Sequence, residues 1–224
     1  MSPADQYLFD LADEISPNRP QLVPDLDSAG PANLHWNPAS SIQAADDADM
    51  EVDLQQFDHA CQHADPELVA RLAWTPGLPE ELRGRLAHHA ADEVRAWVAA
   101  GTRKPELHQL LREDESPRVR AFALWSAFTT SDQLVQAADD RRLEVRAVVA
   151  DHALTPIDTL LKLAHDSSAR VRWSLATGPH AAEPRILQVL QSDPDRSVAM
   201  QARSTLENIA SGDRAERTLG EPSQ

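Results

Sequence analysis

Cysteine is almost missing from this chain: one thiol, Cys61, stands among 224 residues. A single cysteine excludes an internal disulfide and fits a reducing compartment. Glycine is scarce too, with seven in all and only Gly77, Gly84, Gly101 and Gly178 in the central part. That leaves no glycine-rich loop to cradle a phosphate, and neither a G-x-S-x-G nor an H-E-x-x-H sequence occurs. Lysine is limited to Lys104 and Lys162. No apolar run approaches the 18 or so residues a membrane helix needs. The start, MSPADQYLFDLADEI, lacks the basic and apolar regions of a secretory signal. A cytoplasmic protein is the expectation.

What the chain has in abundance is self-similarity. HAADEVRAWVA begins at His89, DESPRVRAFAL at Asp114, DRRLEVRAVVA at Asp140 and DSSARVRWSLA at Asp166. The marker valines Val94, Val119, Val145, Val171 and Val198 follow at intervals of 25, 26, 26 and 27 residues, and a weaker copy, ADPELVARLAW, puts Val69 another 25 residues upstream. Six copies at this period are the mark of a helical solenoid, in which each unit is buried by the next.

Within a copy, apolar residues recur three and four positions after the valine: Leu72 and Ala73, Trp97 and Val98, Phe122 and Ala123, Val148 and Val149. This is one face of a helix. A second helical segment follows in KPELHQLL, TSDQLVQAA, TPIDTLLKLA and EPRILQVL. Pro105, Pro156 and Pro184 suit its first turn, where no N–H is needed, and Thr155 is a candidate N-cap.

The recurring D-x-x-x-x-V-R is complete as Asp114 with Val119-Arg120, Asp140 with Val145-Arg146, and Asp166 with Val171-Arg172. Asp193 precedes Val198 at the same spacing, with Ala199 in place of arginine, and Val94-Arg95 keeps the arginine but has His89 in place of aspartate. Over residues 64–206 the pattern resembles the HEAT-like repeats, and most closely their short bacterial relatives, the leucine-rich-repeat variants. The resemblance implies an all-α, right-handed solenoid of about six units. It also implies a structural ladder made by Asp114, Arg120, Asp140, Arg146, Asp166 and Arg172. Some leucine-rich-repeat variants carry an iron–sulfur cluster on several cysteines, which this chain cannot match, and no cofactor is expected.

The formal charge is −15. It is concentrated: residues 1–58 hold twelve acids against the single base Arg19, whereas the remainder holds 24 acids and 20 bases. The chain therefore divides into an acidic extension (1–58), the repeats (59–210) and a polar tail (211–224). Residues 17–45, rich in Pro, Asn, Ser and Asp, show no periodicity. Tyr7, Leu8, Phe9, Leu11 and Ile15 form an apolar cluster ahead of them. It has two readings: a cap on the first repeat, or a linear motif for a partner.

Chemistry is thin. His59, Cys61 and His63 form H-A-C-Q-H, but alternate positions on a helix diverge and no second cluster completes four ligands. No metal and no catalytic group is assigned. A protein or peptide partner is expected, and nucleic acid is disfavoured by the charge. On the valine helices, positions two and five after the valine should face outward, yet they read as an alanine floor with Trp74, Leu124, Trp173 and Met200 as larger anchors. These four are the candidate partner-binding residues. The same floor is the expected seat for an apolar segment, either a partner's or residues 7–15 of this chain. An enzyme on the same scaffold, of the DNA glycosylase or bilin lyase kind, and an inhibitor whose acidic tail imitates a polyanion are the alternatives.

Overall fold

The computed structural model describes residues 2–15, 53–75 and 77–219, except the side chains of Phe9, residues 12–15 and residues 212–219. The whole Pro/Asn/Asp-rich stretch of residues 17–45, Trp36 included, lies outside the described residues. Among them every regular element is a helix. Two compact units emerge, Met1–Thr129 and Thr130–Gln224.

The first unit contains α1 (Pro3–Ile15), α2 (Leu54–His63), α3 (Pro66–Trp74), α4 (Glu80–Leu86), α5 (Asp92–Gly101), α6 (Pro105–Arg112) and α7 (Pro117–Ala123). The marker valines lie on α3, α5 and α7, and these pack side by side in chain order, while α4 and α6 lie against α5. Val69, Val94 and Val119 are fully enclosed. Trp97 is enclosed as well, its ring centroid 4.8 Å from that of Trp74 and 5.4 Å from that of Phe122. Aromatic side chains from three successive helices thus tie the unit together. Between α3 and α4 the chain reverses through Gly77, whose φ of 82° falls in the left-handed region that favours glycine.

Helix α1 covers the outer side of this row. Its first turn is closed reciprocally: the Asp5 N–H donates to Ser2 Oγ at 3.1 Å and the Ser2 N–H to Asp5 Oδ2 at 2.7 Å. Leu8 and Leu11 are buried, and the helix packs on α2 and α3. The Asp65 N–H, at the N-cap of α3, donates to Asp5 Oδ1 at 3.1 Å. The backbone N–H groups of Ser2 and Asp65 hold the Asp5 carboxyl below its ordinary value.

The second unit contains α8 (Ser131–Ala137), α9 (Leu143–Asp151), α10 (Ile157–Leu163), α11 (Ala169–Thr177), α12 (Pro184–Leu190) and α13 (Arg196–Leu219). Here α9, α11 and α13 carry the marker valines and pack in succession, and α10 lies against α12. Helix α8 starts with a full capping box between Thr130 and Gln133. Pro184 occupies the first turn of α12, as Pro105 does in α6. Thr155 departs from expectation: α10 begins after Pro156 without a side-chain cap, and Thr155 Oγ1 instead donates to the Val149 carbonyl at 2.7 Å, closing the end of α9.

Candidate functional site

The motif residues build a repeated polar joint whose register differs from the motif as it reads along the chain. Arg95, Arg146 and Arg172 each reach forward to the aspartate of the next copy and backward to the main chain of their own. Arg146 donates through Nε and Nη2 to Asp166 Oδ2 and Oδ1, at 2.6 and 2.9 Å, and through Nη1 to the Asp140 carbonyl at 2.8 Å. Arg172 does the same to Asp193, at 2.6 and 2.9 Å, and to the Asp166 carbonyl at 2.6 Å. Arg95 does so to Asp114, at 2.8 and 2.9 Å, and to the His89 carbonyl at 2.8 Å. Arg120 Nη1 holds the Asp114 carbonyl at 2.8 Å.

The aspartates have a second task. Oδ1 of Asp114, Asp140, Asp166 and Asp193 each accepts the N–H two residues on, at 2.8 Å, which fixes the turn into the next valine helix. Burial opposes ionisation of Asp166, but the Arg146 hydrogen bonds, the Ser168 N–H and the charges of Arg146 and Arg172 hold its carboxyl below the ordinary value. Asp114 is governed in the same way by Arg95, Ser116 and Arg120. At Asp193 the Arg172 hydrogen bond dominates. These are charge-assisted bidentate pairs. Sequence reading placed Asp114, Arg120, Asp140, Arg146, Asp166 and Arg172 in the ladder but left out Arg95 and Asp193, the outer halves of two rungs. The signal was present in the D-x-x-x-x-V-R spacing, where both keep one member.

The alanine floor is not open. Ala96, Ala99, Ala121, Ala147, Ala150 and Ala176 are all buried, because alanine at these positions lets adjacent helices approach closely. Leu124, expected as an anchor, is 1% exposed and belongs to the core. Trp74 is half-buried against Trp97. Only two of the four expected anchors are open: Trp173 is 39% and Met200 58% exposed. The cluster expected to dock on that floor is elsewhere, since Leu8 and Leu11 are buried where α1 packs on α2 and α3, and Tyr7 packs against the same core. The Phe9 side chain lies outside the described residues.

Two clefts flank the first unit. One of about 600 Å³ is lined by Phe57, Asp58, Cys61, Arg85, Leu86 and His89, among others. An Arg85–Asp58 ion pair lines it. His89 is already occupied on both nitrogens, with Nδ1 accepting from the Ala91 N–H and Nε2 facing the Cys61 carbonyl. Burial pushes the Cys61 thiol up to about 12, so it is no nucleophile at neutral pH. The His59 and His63 rings lie 4.4 Å apart, tilted by 53°, and no group of three or more potential metal ligands converges among the described residues. The second cleft, about 660 Å³, is bordered by the Arg95–Asp114 pair.

Two buried ionisable groups were not foreseen. Arg83 is 1% exposed, donates to the carbonyls of Ala73 (2.7 Å) and Thr75 (3.2 Å), and has its guanidinium pulled down to about 10 by burial. Asp151, at the end of α9, is 4% exposed, and its Oδ2 has no hydrogen-bond partner among the described residues. Burial raises its carboxyl to about 7. Its Oδ1 lies so close to Gly178 that a Cβ there would stand 2.4 Å away. No helix among the described residues is long and apolar enough to cross a membrane. No family model matches the chain, and neither a curated protein nor a solved structure matches it.

Proposed function

We propose that the chain is a right-handed α-solenoid of six short HEAT-like units that works in the cytoplasm as a non-catalytic scaffold, binding a protein or peptide partner on its surface. The observation that carries this reading is the pairing of Trp173 and Met200, large apolar side chains left in water at equivalent positions of neighbouring helices. Several polar groups that could do chemistry are committed elsewhere. The ladder arginines and aspartates are committed to one another, His89 is committed on both nitrogens, and Cys61 is held as a thiol. The packing of α1 on α2 and α3 supports the capping role for the start of the chain, since an end unit must cover its apolar face.

Asp151 favours a second reading, an enzyme on the same scaffold, because a carboxyl raised by burial is what general acid catalysis requires. Against it stand the 4% exposure and the absence of Asp151 from the lining of both clefts. Affinity capture from native cell extract with the full chain tests the scaffold. A stoichiometric protein partner is the expected result. A chain that retains none, yet turns over small molecules in an activity lost by Asp151→Asn, overturns it in favour of the enzyme.

A further inference from the structure

The charges around Trp173 and Met200 give the chemistry of the partner, on the reading that the chain is a scaffold. Both residues stand two positions after the marker valine, on α11 and α13, which pack against each other. Positions three or four residues away share their helix face. For Trp173 these include Arg170; for Met200 they include Arg196 and Arg203. All three arginines are exposed, and none has an ion pair among the described residues. Arg203 uses Nε for the Gln191 carbonyl at 2.8 Å, which leaves both terminal nitrogens.

The other neighbours on these faces, Thr177, Ser197 and Ser204, carry no charge. Most of the nearby acids are committed: Asp166 is bound by Arg146, Asp193 by Arg172, and Asp195 accepts the N–H groups of Ser197 and Val198. Glu207, exposed one turn beyond Arg203, forms no ion pair with it and offsets part of the charge at that end of the surface. In a chain of net charge −15, two apolar anchors bordered by three unpaired arginines form a locally basic surface.

We propose that this surface receives an acidic protein segment with large apolar side chains, which pack on Trp173 and Met200 while its carboxylates meet Arg170, Arg196 and Arg203. Guanidinium groups suit carboxylates because their planar fork matches both oxygens. A nucleic acid is the weaker fit, since its dense, extended phosphate charge meets far more long-range repulsion from the acidic chain than a short segment with a few carboxylates does.

The test uses the full chain and a fluorescein-labelled peptide with Leu and Phe on one helical face and Glu on the other. A second peptide has every Glu replaced by Lys. The glutamate peptide is expected to bind, more weakly as salt rises, and the lysine peptide not to bind. Trp173→Ser with Met200→Ser, and separately Arg170→Glu with Arg196→Glu and Arg203→Glu, should each weaken binding roughly tenfold or more, with the helical circular-dichroism spectrum of the full chain retained at the assay temperature. Equal binding of both peptides, equal binding by the variants, or a preference for single-stranded DNA overturns the proposal. So does reversible self-association of the full chain that Trp173→Ser abolishes, which would make the occupant a second copy. A partner captured from extract that the charge-reversed variant still retains places the docking surface elsewhere and leaves the scaffold reading standing. Peptide binding that the variants lose supports this surface even if extract capture fails.

Discussion

Asp151 is the residue whose environment is hardest to satisfy. Its carboxyl is enclosed, Oδ2 is unpartnered, and burial alone raises it to about 7. An acid whose folded value lies above its unfolded value of 3.8 costs nothing below both. As pH rises from about 4 towards 7 the unfolded chain ionises first, and the folded state loses relative stability until Asp151 itself ionises. Asp151→Asn keeps the shape and removes the titration. The variant should gain on wild type across that window, by up to about 4 kcal/mol at pH 8 on the scale of about 1.36 kcal/mol per pKa unit. Urea unfolding at pH 4 and pH 8 checks this; a difference between the two chains that does not change with pH would show that Asp151 is not held as an acid. Gly178 follows from the same crowding, since any Cβ there meets Asp151 and the Ser174 carbonyl.

Between elements, the arginine–aspartate rungs connect successive valine helices in a way apolar contact does not. Alanine at the helix contacts brings backbones close but adds little apolar area per unit. Each rung supplies two charge-assisted bonds across the joint and one back to the main chain. Asp166→Ala removes the partner of Arg146 and the acceptor for the Ser168 N–H together. With Asp166 only 7% exposed at its side chain, the loss should be about 2–4 kcal/mol, mostly from leaving Arg146 uncompensated. The rung aspartates are held below their ordinary values, so their contribution is present above about pH 4 and is lost as pH falls through the lowered folded values. The gap between thermal melts of wild type and Asp166→Ala should therefore be widest at pH 7 and narrow as pH falls below about 4; a constant gap would mean that the site acts through packing.

At the scale of the whole molecule, charge separates the classes of partner. The net charge of −15 disfavours long-range attraction of an extended, densely charged polyanion such as a nucleic acid, while basic surface for a short acidic segment persists locally around Arg170, Arg196 and Arg203. The full chain is expected to show no micromolar binding to duplex or single-stranded DNA at low salt. Fluorescence anisotropy with labelled oligonucleotides measures it, and salt-sensitive binding would reverse the assignment.

The periodicity by itself determined the helical class and the two helical segments per copy, because apolar residues recur at helical spacing in every interval; that the recurring aspartate and arginine form a joint was what the resemblance implied. Trp97 and the marker valines were legible as core for the same reason, since position on a 3.6-residue helix fixes the face they present. Which aspartate each arginine grips was decided only in three dimensions: the side chain of Arg146 reaches 20 residues ahead to Asp166, whereas its Nη1 takes only the carbonyl of the Asp140 that the motif pairs it with. The alanine floor failed as an open surface because alanine is what lets neighbouring helices close over it. Leu124 disappeared into the core with it, while Trp173 and Met200 remained in water. Asp151 carried no signal at all, since desolvation is set by what surrounds a carboxyl and no spacing in the chain records it.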